Sequence, residues 1–110
     1  MSYSIALFHF VYNDVIMKNV NVEYIYCVGE GGDASFIYFD GGEEKKKLLM
    51  ENVNVNFVTT NGPFIKIKGE EYEIDIINSN IQNITSYGSV IEDTGKKVNK
   101  YIHLYNIIYL

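Results

Sequence analysis

Asn19-Val20-Asn21-Val22-Glu23 and Asn52-Val53-Asn54-Val55-Asn56 alternate polar and apolar residues without a break. Strict period-two alternation sends successive side chains to opposite faces of an extended chain, so these segments must be strands with one face buried and one wet. They also belong to one echo: Met17 to Ile25 reads against Met50 to Val58 at an offset of 33 residues. Two copies fall short of the three or more repeats that a solenoid needs, so the echo contributes two strand assignments and no repeat architecture.

The same pattern extends over most of the chain. Strands are expected at about Tyr3–Tyr12, Ile16–Val28, Ser35–Phe39 and Met50–Thr60, separated by turn residues such as Asn13-Asp14 and Asp40-Gly41-Gly42. In the second strand Val20, Val22, Tyr24, Tyr26 and Val28 share the inward face. Phe64–Lys68, Gly69-Glu70 and Glu71–Ile77 read as an antiparallel hairpin. Glu43–Leu49 fits helix and strand equally, because its Glu, Lys and Leu residues are strong helix formers with acids ahead of bases. Asn78–Thr85 reads as a loop or one helical turn, and Val98–Leu110 as a terminal strand apolar on both faces. The expected fold is therefore a mainly β single domain over residues 1–110. It is a small antiparallel barrel or two-sheet sandwich of seven to eight strands with at most one short helix.

Composition narrows function mainly by exclusion. Nine Lys against 14 Asp and Glu leave a net charge of −5, and arginine is absent, so the chain lacks the forked donor suited to phosphate and guanine. No nucleic-acid partner is expected. The longest apolar run, Tyr24–Val28, is far short of the ~20 residues of a spanning helix, so no membrane partner is expected either. With Cys27 the sole cysteine, neither an internal disulfide nor a cysteine zinc cluster can form, and a cytoplasmic location fits.

No chemistry-bearing motif emerges. His9 and His103 are the only imidazoles, and no local signature joins either of them to Cys27 or to a carboxylate at ligand spacing. Gly29-Glu30-Gly31-Gly32 lacks the spacing of a phosphate-binding loop. Glu30 and Asp33 stand at one end of the Ser35–Phe39 strand and Asp40, Glu43 and Glu44 at the other. That is roughly 17 Å at ~3.3 Å per residue, too far to share a calcium ion. Lys45-Lys46-Lys47 reads as a solvated face, and Asn83-Ile84-Thr85 as a sequon without consequence inside the cell. No catalytic residue, metal ligand or cofactor is assigned, and no enzymatic activity is expected.

Ten tyrosines are the feature that points outward, since tyrosine supplies rigid amphipathic contact area. Tyr101, Tyr105, Ile107 and Tyr109 form the second apolar face of the terminal strand and are the candidate interface, with Ile102, Leu104, Ile108 and Leu110 facing the core. The expected function is a non-catalytic protein-interaction module that self-associates as a homo-oligomer. The alternative is a β protein holding a small anionic or aromatic ligand at a tyrosine-lined mouth or subunit interface. A mobile-element inhibitor or sponge fits either class.

Overall fold

The computed structural model describes residues 5–28, 34–93, 99–105 and 108–109, with Ile5 and everything beyond Asp93 described by backbone alone. The described strands are β1 (Ile5–Val11), β2 (Val15–Cys27), β3 (Ala34–Asp40), β4 (Lys46–Thr60), β5 (Ile65–Lys68), β6 (Glu71–Ile77), β7 (Asn80–Thr85), β8 (Ile91–Asp93), β9 (Asn99–Tyr105) and β10 (Ile108–Tyr109). The mainly β expectation holds. No described residue is helical, so none belongs to a helix long and apolar enough to cross a membrane.

The pairing is not antiparallel. Every described strand pair is parallel, and consecutive strands alternate between two sheets. One sheet runs β1-β3-β5-β8; the other has β4 paired to β2, β6 and β7, with β9 beyond β6 and β10 beyond β7. Each strand thus lies beside its counterpart one circuit later, which makes the chain a parallel β-solenoid of four coils, not a barrel or an antiparallel sandwich. Coil one is β1 and β2, coil two β3 and β4, coil three β5, β6 and β7, and coil four β8, β9 and β10. Stacking four coils at the ~4.8 Å spacing of paired strands accounts for the short dimension of a 38 × 34 × 19 Å body.

Each coil buries its inward residues on those of its neighbours. Val15, Leu48 and Ile74 form one ladder, Met17, Met50 and Ile76 a second, and Val22, Val55 and Ile81 a third. Opposite them Phe8, Ile37, Ile65 and Ile91 stack in the other sheet, beside Phe10, Phe39 and Ile67. Phe39, Leu48, Met50, Val53 and Ile67 are wholly buried, each contributing about 1.5–3 kcal/mol on removal from water.

The long strands bend at two corners. Asn19, Asn52 and Asn78 hold φ of 56°, 53° and 49°, and Tyr24, Phe57 and Asn83 hold 56°, 57° and 54°. A left-handed residue turns the chain and restarts the alternation, so Lys18-Asn19 and Glu23-Tyr24 each place two successive residues outward. This corrects the expected face of β2. Val20 and Val22 face inward as read, but after the corner Ile25 takes the inward role and Tyr24 and Tyr26 stand in solvent at 71% and 79% exposure.

Three other expectations change for the same tertiary reason. Residues from Lys46 are strand, because they pair on both sides with β2 and β6, which overrides the helix-forming character of Lys46 to Met50. Gly69-Glu70 does not close a hairpin: β5 and β6 lie in different sheets, and the glycine is a corner whose Cβ position would be 3.3 Å from the backbone of Gly41. Asn80–Thr85 is a strand, paired with Asn54–Thr59.

Candidate functional site

The outer surface is organised by the same stacking. Asn54 Nδ2 donates to Asn21 Oδ1 at 2.8 Å, and Asn80 Nδ2 donates to Asn54 Oδ1 at 3.1 Å. Asn83 Nδ2 donates to Asn56 Oδ1 at 2.7 Å, so the amide of the sequon residue is engaged in the fold. Parallel, in-register strands bring like amides to the spacing at which one donates to the next. Charged pairs bridge the coils likewise. Lys18 meets Glu51 at 3.3 Å, and Lys47 meets Asp75 at 3.1 Å and Glu73 at 3.7 Å. The hydrogen bond to Asp75, with the charge of Glu73, pushes the Lys47 ammonium above its ordinary value. With Lys46 on Glu44 at 3.7 Å, two of the three clustered lysines are matched by acids.

The reactive side chains are kept apart from chemistry. Cys27, at the end of β2, is half-buried in a cleft of about 250 Å³ with Ala6, Leu7, Ile25, Ala34 and Ser35. Burial pushes its thiol up, against a weaker opposing hydrogen bond from the Leu7 backbone, which is the reverse of nucleophile activation. The buried Ser35 hydroxyl finds no hydrogen-bond partner among the described residues. His9 projects outward from β1 and leans on Tyr38 at 4.7 Å between ring centroids, with Lys66 Nζ 5.7 Å from the same tyrosine ring. Among the described residues no three His, Cys, Asp or Glu side chains gather as a metal site. Glu30, Asp33 and the Gly29–Gly32 segment lie outside the described residues.

The candidate interface falls on the fourth coil. Tyr101 and Tyr105 stand on β9 opposite Glu73 and Ile77, and Tyr109 on β10 opposite Ile81. Ile107 and the side chains of all four lie outside the described residues.

Exposed apolar surface gathers at the other end. Leu7, Val11, Tyr12, Ile16, Tyr24, Tyr26 and Val28 all belong to the first coil or its flanks, leaving only Phe57 and Tyr87 among large apolar residues exposed elsewhere in the described chain. The inward residues Phe8, Phe10, Val15, Val20, Val22 and Ile25 are only half-buried, because coil two covers them from one side alone. At the second corner the Tyr24 and Phe57 rings stack at 5.2 Å and 3°. They wall a cleft of about 400 Å³ with Tyr26, Thr59, Asn83 and Thr85. Two aromatic residues in left-handed backbone are sterically costly, and asparagine serves the equivalent position at Asn83. Period-two reading missed Tyr24, Tyr26 and Ile16 as surface residues. Asparagine at both positions 19 and 52 was the one available sign of a corner.

Fold and surface together define a small parallel β-solenoid with an uncovered apolar first coil. No protein-family model, curated protein or solved structure matches the chain.

Proposed function

We propose that the protein is a non-catalytic interaction module that self-associates through its first coil. The observation that carries this reading is the concentration of exposed large apolar residues on that coil. A solenoid coil buries its apolar face only against another coil, and terminal coils of soluble solenoids carry a polar cap. The first coil has the opposite character, and contiguous exposed apolar surface marks an interaction site. The edge of β2 adds 13 residues of strand unpaired on one side, free of proline.

Light scattering after size exclusion at micromolar concentration tests the reading. A dimer is expected from the wild type and a folded monomer from Ile16→Lys/Tyr26→Lys, whose positions are 68% and 79% exposed and tolerate charge within one subunit. Tyr105→Glu reports on the terminal strand: it should leave the dimer intact, and a monomer there would move the interface to the fourth coil. A monomeric wild type overturns self-association altogether.

A second reading rests on the stacked Tyr24 and Phe57 rings. Their cleft, with Thr59, Thr85 and Asn83 as polar groups, suits a small planar ligand better than an anion, because no lysine lines it.

A further inference from the structure

The inward and outward order of β2 is the same read from either end. From Val15 to Cys27 it runs in, out, in, out, out, in, out, in, out, out, in, out, in, with Asn21 at the centre. Each pair of successive outward residues, Lys18-Asn19 and Glu23-Tyr24, marks one of the two corners, so reversing the strand about Asn21 lays corner on corner. An ordinary alternating strand with one bend lacks this property.

We infer that two copies of this chain meet head to head, with the β2 edges paired antiparallel and Asn21 on the twofold axis. The inference rests on the self-association reading and assigns its geometry. Antiparallel pairing sets residues directly opposite one another on the same face, so a strand pairs with its own copy only where the facing pattern survives reversal. About Asn21 every inward residue meets an inward residue: Val15 meets Cys27, Met17 meets Ile25, and Val20 meets Val22. On the outer face Ile16 meets Tyr26 and Asn19 meets Glu23. Lys18 lies across from Tyr24, whose exposed ring offers a cation–π contact. Asn21 of the two copies would continue the Asn21–Asn54–Asn80 amide ladder across the axis. The half-buried Val20, Val22 and Ile25 would then be covered from both sides, as Val53, Val55 and Val58 are in coil two. This contact is isologous and closes at two subunits, whereas stacking coil one on the last coil of a neighbour would propagate without end.

Cysteine cross-linking in a Cys27→Ala background reads the register. Asn21→Cys should form an intermolecular disulfide on mild oxidation, since a residue on the axis faces itself at the ~4.5–5.5 Å separation of directly opposed strand residues. Lys18→Cys should fail to cross-link to itself, its two copies being six residues out of register, roughly 20 Å at ~3.3 Å per residue. Lys18→Cys/Tyr24→Cys should cross-link again. Circular dichroism of each reduced variant checks that the fold is kept. A dimer by light scattering in which Asn21→Cys stays uncross-linked, or Lys18→Cys links as readily, overturns the head-to-head geometry while leaving self-association standing. Open-ended growth with concentration also overturns it, in favour of head-to-tail stacking. A wild-type monomer removes both claims.

Discussion

Asn52 Nδ2 donates to Asn19 Oδ1 at 2.7 Å across one full coil, and both residues hold left-handed backbone, at φ 53° and 56°. Asparagine does two things here that alanine cannot: it tolerates the left-handed region, and it fills the amide ladder. Asn52→Ala should lower stability by about 1–3 kcal/mol, from a backbone cost of ~1–2 kcal/mol and a lost hydrogen bond of ~1 kcal/mol. Asn52→Gly should lose less, since it keeps the backbone freedom. Urea unfolding measures both, and a glycine variant weaker than the alanine variant would contradict this account of the corner.

Gly42 and Gly88 separate backbone strain from crowding. Both lie at positive φ, 72° and 81°, but a Cβ on Gly42 would come within 2.8 Å of the Tyr12 ring, while one on Gly88 would meet nothing within 4 Å. Gly88→Ala should cost only the left-handed penalty of ~1–2 kcal/mol. Gly42→Ala should cost measurably more. In a Tyr12→Ala background the two should become similar when compared by urea midpoint, and a persisting gap would mean that the ring is not the obstacle.

Tyr72 links stability to alkaline pH. Its buried ring sits below β4, and its Oη donates to Asp93 Oδ2 at 2.8 Å. Burial first, then the hydrogen bond and charge of Asp93, hold the phenol well above its ordinary value near 10. The folded state therefore prefers the protonated phenol more strongly than the unfolded state does. That contribution is complete below pH ~10 and declines as pH rises toward the folded value. Denaturant unfolding of wild type and Tyr72→Phe at pH 8 and pH 10.5 should show the wild-type advantage shrinking at the higher pH. A pH-independent difference between the two would show that this phenol does not titrate on unfolding.

Cys27 should behave as a packing residue. With its thiol pushed up by burial, little thiolate exists at neutral pH. Reaction with a disulfide reagent should be slower in the folded protein than in urea, and Cys27→Ala should leave oligomeric state unchanged. Folded-state labelling at pH 7 as fast as in the unfolded chain would contradict this.

Sequence alone determined that this chain is mainly β, because alternation at Asn19–Glu23 and Asn52–Asn56 has only one structural meaning. It also placed the breaks at Asn13-Asp14 and Asp40-Gly42, where the backbone needs turn residues. Pairing direction was not written there: period two says which face is buried and nothing about the partner strand. The echo of Met17–Ile25 in Met50–Val58 was the visible trace of parallel, in-register stacking. The next circuit pairs Asn54 with Asn80 and Val55 with Ile81, a shorter step that breaks the period and hides the third coil. The surface was decided by tertiary structure as well. One left-handed residue at Tyr24 reverses the facing of everything after it, turning two tyrosines assigned to the core into the most exposed part of β2. Local sequence sets the alternation, and the stacking of coils decides where it restarts.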